Sequence, residues 1–370
     1  MDRNPKKIEL KLKNIGYIKE ANIDISGLTV IAGKNDEGKS TVGKALMAII
    51  KAYNMGNRIK DSNKQKNEIR QFFSTLLSKK KQPSLSDFNK RDFLDSSKSH
   101  LNLMIELLFD NEISNEGQIF LDIESNKYDA IIIDNRCKDF KNIGYNNELL
   151  DCTFIQTPLI WDLEEFFNNI VVMRQNSSIY DDTFEIKYPY VLWDLYTKLV
   201  FPALKHKQNA NNTIKSTIKN IIGGKFIKEQ DRLYRFYNNN GQDMSLTDTA
   251  VGIKTFGIIQ VLFDKNRFTP QGYFVFDEPE NHLHPTWQLA LAEILVILAK
   301  NGIRIMINTH SPYMLEAFDK YSKKHNAYTK FYLADKGIVQ QINGSNAGTL
   351  EEIFKKLNEP FKIFDEMENK

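Results

Sequence analysis

The segment Leu28–Thr41, LTVIAGKNDEGKST, constrains this chain more than any other. Leu28–Ala32 is a short apolar run that meets a glycine, the pattern of a buried strand entering a loop. Gly33-Lys34-Asn35-Asp36-Glu37-Gly38-Lys39-Ser40 matches G-x-x-x-x-G-K-[ST] at every fixed position. Lys39–Tyr53 follows with helical spacing, placing Val42, Leu46, Ile49 and Ile50 on one face. Glycines let such a loop wrap phosphates, so that successive N–H groups and the helix N-terminus face anionic oxygens. Gly33, Lys34, Asn35, Asp36, Glu37, Gly38, Lys39, Ser40 and Thr41 are therefore candidate nucleotide contacts. Lys39 is suited to the β- and γ-phosphates, and Ser40 to Mg²⁺.

A second element supplies acid. Gly272–Pro279, GYFVFDEP, is an apolar strand ending in two carboxylates, at the edge where α/β sheets place ligands. Asp277 is the candidate Mg²⁺ partner, through the metal's water shell. Glu278 is the candidate residue that orients or deprotonates the attacking water.

The elements around these motifs predict an α/β chain. Ile8–Ile15 and Tyr17–Ile25 alternate about Asn14-Ile15-Gly16 as a hairpin. Residues 54 to about 100 are rich in Lys, Asn, Ser and Gln, with a helix expected at Glu68–Leu77, and read as a surface insertion. Leu101–Phe109, Gln118–Ile123 and Tyr128–Ile133 read as three antiparallel strands, and Asp151–Gln156 as a further strand. A mostly helical region from Pro158 to about Ile222 includes Trp161–Asn168 and Tyr190–Leu199. Gly223-Gly224 breaks it, before a strand at Leu233–Tyr237 and a turn at Asn238–Gly241. Thr249–Phe263 is a helix. Tyr273–Phe276, Trp287–Ala299, Ile303–Ile307, Pro312–Phe318 and Phe331–Ala334 then alternate strand and helix, the mark of a parallel sheet. Asn326–Lys370 reads as strands plus a helix at Thr349–Leu357. The expected organisation is an N-terminal lobe at 1–157, a helical insertion at 158–245, a C-terminal lobe at 246–345, and a helix and tail at 346–370.

Composition narrows the class. The 370 residues are 41% hydrophobic and 26% charged, ordinary for a globular chain with a sizeable core. A net charge of +3 does not by itself call for nucleic acid, although Lys79-Lys80-Lys81 and Lys323-Lys324 leave it open. Cys137 and Cys152 lack metal-ligand spacing and fit a reducing cytoplasm. The N-terminus has no secretion-signal run, and the longest apolar stretch, Leu289–Ala299, is too short to span a bilayer. No membrane partner is expected.

FVFDEPENHLHP at Phe274–Pro285 and INTHSPYML at Ile307–Leu315 resemble the ABC/SMC-like ATPases of prokaryotes. The resemblance is greatest to the overcoming-lysogenization-defect type and to ATPase subunits of anti-phage defence systems. IELKLKNIGYIKEANIDISGLTVIAGKNDEGKS is similar to the same group, so the likeness covers residues 1–53 and 246–320 well. It implies an ABC-type P-loop ATPase head with an antiparallel β lobe and an inserted helical region. The 238-residue separation of Lys39 from Asp277 suits an inserted arm or lid.

The resemblance further implies ATP and Mg²⁺ as ligands and a homodimer as the working form. It expects a glutamine after a strand, and Gln156 is the candidate for nucleotide and metal; a polar strand end of no such role reads the same. It expects a signature loop capping the γ-phosphate in the partner subunit, here Thr247–Lys254 with Val251 and Gly252. Val251 stands where serine is usual, so a hydroxyl contact is missing. His310 corresponds to the switch histidine at the γ-phosphate. His282 and His284 could bind metal as H-x-H beside carboxylates, or belong to a loop at the dimer interface. The lysogenization-defect type also carries a C-terminal metal-dependent nuclease domain, and no acidic cluster of that kind follows His310. Effector chemistry is therefore expected from a separate partner, a nuclease or toxin. A RecF-like DNA-repair ATPase and a non-catalytic ATP clamp are the alternatives, and a transporter subunit fits the polar and helical middle less well.

Overall fold

Leu28–Ala32 forms strand β3, buried at all five positions. Only a central strand covered on both faces sustains such a run. The computed structural model describes Pro5 and residues 7–61, 97–123, 126–143, 150–175, 188–201, 212–229 and 234–359. The helix expected at Glu68–Leu77 and the tail beyond residue 359 lie outside the described residues.

Strands β1 (Ile8–Ile15) and β2 (Ile18–Asp24) make the expected hairpin, with Ile15 opposite Ile18. Helix α1 (Lys39–Asp61) leaves the glycine loop, and α2 spans Ser97–Phe109. Strands β4 (Glu116–Ile123), β5 (Asn126–Ile133) and β6 (Arg136–Ile143) form a meander, and β7 is Asp151–Ile155. A 3₁₀ turn at Pro158–Trp161 leads to α3 (Glu164–Gln175), α4 (Tyr190–Val200) and α5 (Asn212–Ile222). Strands β8 (Gly224–Lys228), β9 (Tyr234–Asn238) and β10 (Asp243–Ser245) precede α6 (Val251–Asp264). The C-terminal part runs β11 (Gly272–Asp277), α7 (Pro285–Lys300), β12 (Arg304–Thr309), α8 (Pro312–His325), β13 (Thr329–Asp335), β14 (Ile338–Gln340) and α9 (Asn346–Leu357).

One eleven-stranded sheet has the order β6-β5-β4-β1-β2-β14-β13-β3-β12-β11-β7. From β13 to β7 its strands are parallel; from β6 to β2 they are antiparallel. One apolar layer joins α1 and α2 to the antiparallel lobe, through Val42, Leu46, Ile49, Leu101 and Met104. A second covers the other side of the parallel half with α6, α7 and α8, through Phe256, Leu291, Leu295, Met314 and Phe318.

Three expectations change. Leu101–Phe109 is helical, not a strand, and the third strand of the meander is instead Arg136–Ile143. Leu101, Leu103, Ile105 and Leu107 satisfy a strand's alternation, but the helix also buries Met104 and Leu108 against α1, at roughly 2 kcal/mol for each such side chain. The 158–245 insertion, read as helical apart from a strand at Leu233–Tyr237, carries a separate three-stranded sheet, β10-β9-β8, with that strand as β9. The helix begun at Trp161 starts at Glu164, because Pro158 and the Thr157 cap first close a 3₁₀ turn.

Beneath the sheet edge, Lys51 of α1 and Lys198 of α4 are ringed by Asp151 and Asp194. Lys51 Nζ lies 2.9 Å from Asp151 and 2.6 Å from Asp194; Lys198 Nζ lies 3.2 and 2.9 Å from the same two. Lys198 also donates to Cys152 O at 2.8 Å, which satisfies a carbonyl of the edge strand β7. Burial opposes the Lys51 charge, but Asp151 and Asp194 hold its pKa well above the usual range. The ring fixes α1, β7 and α4 as one unit.

Candidate active site

Parallel strands end at one edge, and the strand order decides which ends are neighbours. β3 ends at Ala32, β12 at Thr309, β11 at Asp277 and β7 at Ile155, side by side. The next residues, Gly33, His310, Glu278 and Gln156, therefore leave the sheet together. A cavity of about 900 Å³ opens there, lined by Asn35, Asp36, Gly38, Lys39, Ser40, Thr41, Gln156, Asp277 and Glu278 among others.

The loop's shape follows from its glycines. Gly38 has φ +82°, where a side chain is strained, and a Cβ there would stand 2.5 Å from Ile18 Cδ1, so any side chain would have to displace the tip of Ile18 in the β1–β2 hairpin. Lys39 folds over the loop, donating to Gly33 O at 3.0 Å and Lys34 O at 2.7 Å. Burial lowers its pKa, offset first by Glu278 and then by Asp277, Glu280 and Glu37.

Ser40 Oγ donates to both Asp277 oxygens, at 2.9 and 2.8 Å. Asn308 Nδ2 donates to Asp277 Oδ1 at 2.7 Å, which fixes the carboxylate's plane. Burial raises the Asp277 pKa, and the Asn308 and Ser40 hydrogen bonds oppose the rise. A hydroxyl and a carboxylate meeting at a cavity wall form a hard-oxygen pair, which fits Mg²⁺ with retained waters. Gln156 is exposed on the same wall.

Glu278 holds a left-handed conformation, φ +51°, with its N–H donating to Asn308 O at 2.8 Å. Such backbone is uncommon for a residue with a Cβ and costs on the order of 1 kcal/mol or more. Its carboxylate accepts from Asn281 Nδ2 at 3.2 Å and lies 3.3 Å from His310 Nδ1. That last contact is an ion-pair distance without hydrogen-bond alignment.

Several expected residues stand apart from the cavity wall. His310 touches Glu278 but does not line the cavity. Val251 and Gly252 open α6 elsewhere, and a Cβ on Gly252 would meet the Trp287 ring at 2.8 Å. That glycine lets α6 lie close to α7. Lys34 reaches outward to Glu359 at 2.6 Å. His284 caps α7, its Nδ1 accepting from Thr286 N at 3.3 Å, whereas His282 is exposed at the cavity rim.

Other residues were not singled out beforehand. Tyr17, 56% exposed at the hairpin turn, lines the cavity mouth. Lys254 donates to Asp162 Oδ1 at 2.6 Å and Trp161 Nε1 donates to Lys254 O at 2.9 Å, tying the segment after Gln156 to α6. Asn308, Thr309 and Glu280 form a buried polar set behind the acidic pair. The polar end of the apolar run IMI, at Asn308 and Thr309, was the sequence signal for those two.

A glycine loop, an acidic strand end and this strand order define a P-loop fold of the kind seen in SMC heads. The chain belongs to the family described as "AAA domain, putative AbiEii toxin, Type IV TA system", whose profile matches residues 28–316. The fold is similar to an Smc head bound to the C-winged helix domain of ScpA, at TM-score 0.50 and 13% identity over 95% of this chain and 100% of that one. A Pyrococcus furiosus Smc head with an extended coiled coil gives TM-score 0.48 at 12% identity, covering 96% and 99% of the two chains. The Thermotoga maritima SMC head domain gives 0.44 at 14%, covering 91% and 98%. Comparison with the curated proteins gives no match.

Proposed function

We propose that this chain hydrolyses ATP with Mg²⁺ as a head-to-tail homodimer, acting as the sensor or regulatory subunit of a prokaryotic anti-phage defence system. The observation that carries the hydrolytic reading is the convergence of Lys39, Ser40, Asp277 and Glu278 on one cavity. When bound, Mg²⁺ would supply neutralisation of charge on the phosphates. Ser40 and Asp277 would hold it, and Lys39 would leave the loop carbonyls to pair with phosphate oxygens. Glu278 orients and deprotonates water, with its strained backbone fixing the direction of the carboxylate.

Val251 and Gly252 do not line the cavity of their own chain, although Thr255 and Ile258 further along α6 do, which leaves the start of α6 available to a second copy. The family description, with its toxin and Type IV TA terms, supports a role in a toxin–antitoxin or defence system. A separate nuclease or toxin as effector is part of what we propose. No helix among the described residues is long and apolar enough to cross a membrane. On the β lobe, Lys7 and Lys11 pair with Glu9, Lys127 with Asp122, and Lys141 with Asp139. Interleaved charge of this kind disfavours the RecF-like alternative, which needs a basic track for phosphates.

The test compares wild type with Glu278→Gln for phosphate release, nucleotide binding and sedimentation. Glu278→Gln is expected to bind ATP, lose at least about 10²-fold in turnover and accumulate as a nucleotide-bound dimer. Equal release by both proteins refutes the role of Glu278. A folded chain without nucleotide affinity in magnesium buffer refutes the ATPase reading altogether.

A further inference from the structure

We propose that Glu280 is a positioning residue for hydrolysis, holding His310 against Glu278 from within the protein. The proposal rests on the ATPase reading above and extends it to a residue that reading does not use.

Glu280 is only 4% exposed, three residues beyond the metal-side carboxylate. Its Oε1 accepts from the Thr309 hydroxyl at 2.5 Å and from the His310 backbone N–H at 3.1 Å. Those two bonds pin the chain where β12 leaves the sheet. The imidazole is thereby set with Nδ1 at 3.3 Å from Glu278 Oε1 and 3.8 Å from Glu280 Oε1, between two carboxylates. On the other side, Glu278 N–H donates to Asn308 O at 2.8 Å, so both ends of the Glu278–His310 contact are fixed across β11 and β12.

Glu280 is a costly way to hold a loop. It buries a charge near Glu278, and its Oε2 has no hydrogen-bond partner. A cationic group near these acids is Lys39, whose ammonium feels Glu278, Asp277 and Glu280 in that order. A glutamine could accept the same two hydrogen bonds without the charge. Geometry and charge are therefore separable by substitution.

A residue that acts through another leaves a recognisable kinetic pattern. Displacing the His310 segment by about 1 Å should lower kcat by roughly 10²-fold while leaving ATP binding intact. The removal should also be silent once His310 is gone.

The experiment uses the full chain with ATP and Mg²⁺. It measures kcat and KM for wild type, Glu280→Ala, Glu280→Gln, Glu280→Asp, His310→Ala and the Glu280→Ala/His310→Ala double variant. Glu280→Ala is expected to lose about 10²-fold in kcat with KM within twofold, and Glu280→Gln to recover to within about fivefold of wild type. Glu280→Asp keeps the charge but withdraws the acceptor by about one C–C bond, ~1.5 Å, and is expected to lose at least about tenfold. The double variant should match His310→Ala. Should Glu280→Ala fail to fold, Glu280→Asp takes its place in the cycle. Multiplicative losses in the double variant, a KM effect without a kcat effect, or Glu280→Asp equal to wild type each overturn the proposal. A wild-type chain inert toward Mg-ATP overturns the ATPase reading and this proposal together. An active wild type with inactive Glu278→Gln and unaffected Glu280 variants overturns this proposal alone.

Discussion

Glu164 offers a test of burial energetics that does not depend on the function. It opens α3 with 3% exposure, and both carboxylate oxygens face the backbone N–H of Tyr234, at 3.2 and 3.0 Å. Burial pushes its pKa from 4.5 up to about 7, against the Tyr234 hydrogen bond and the attraction of Lys228. The folded chain thus holds this proton more tightly than the unfolded chain. Stability is unaffected by the group below about pH 4.5 and declines as pH rises to about 7, where the full penalty is reached. A shift of that size is worth about 3 kcal/mol. Glu164→Gln keeps an acceptor for Tyr234 N–H and removes the titration. The variant should therefore be more stable than wild type at pH 8.5, by up to about 3 kcal/mol, and nearly equal to it at pH 4.5. Urea unfolding followed by tryptophan fluorescence at both pH values measures the difference, with Trp161 and Trp193 in the adjoining core as reporters. A stability difference that is the same at both pH values would refute burial as the source of the shift.

Other perturbations probe the scaffold and the loop. Lys51→Met leaves Asp194 buried beside Asp151 with one ammonium fewer, and should cost about 3–5 kcal/mol in chemical unfolding. Adding Asp194→Leu to it should recover part of that loss, because the remaining Asp151–Lys198 pair is neutral. Gly38→Ala places a methyl against Ile18 in a left-handed backbone; fluorescent-nucleotide titration should show at least about tenfold weaker binding while the thermal midpoint moves little. Trp161→Phe removes the hydrogen bond to Lys254 O and should lower stability by about 1 kcal/mol in the same urea assay.

Local chemistry made much of this protein readable from sequence. The fixed positions from Gly33 to Ser40 are a covalent run with its own strand and helix, so no distant contact is needed to recognise it. Phe274–Glu278 is legible for the same reason, and so are the β1–β2 hairpin and the strands of the parallel half. The elements that escaped are those whose identity depends on neighbours. Leu101–Phe109 satisfies two periodicities, and the surface of α1 selects the helical one. Arg136–Ile143 is a polar edge strand, recognisable only once β5 supplies its partner. Gln156 is reached only through the family resemblance, because it carries no local mark and 121 residues separate it from Asp277.

By itself the sequence determined the phosphate loop, the acidic strand end and the α/β class, since each is written in contiguous residues. The tertiary structure alone decided that β3, β12, β11 and β7 are neighbours, and hence that Lys39, Ser40, Gln156, Asp277 and Glu278 share one cavity. It also decided that Glu280 turns inward beneath His310, and that Val251 and Gly252 face elsewhere. The physical reason is that strand order and side-chain burial are set by how two apolar layers close on a sheet, a property of the whole chain.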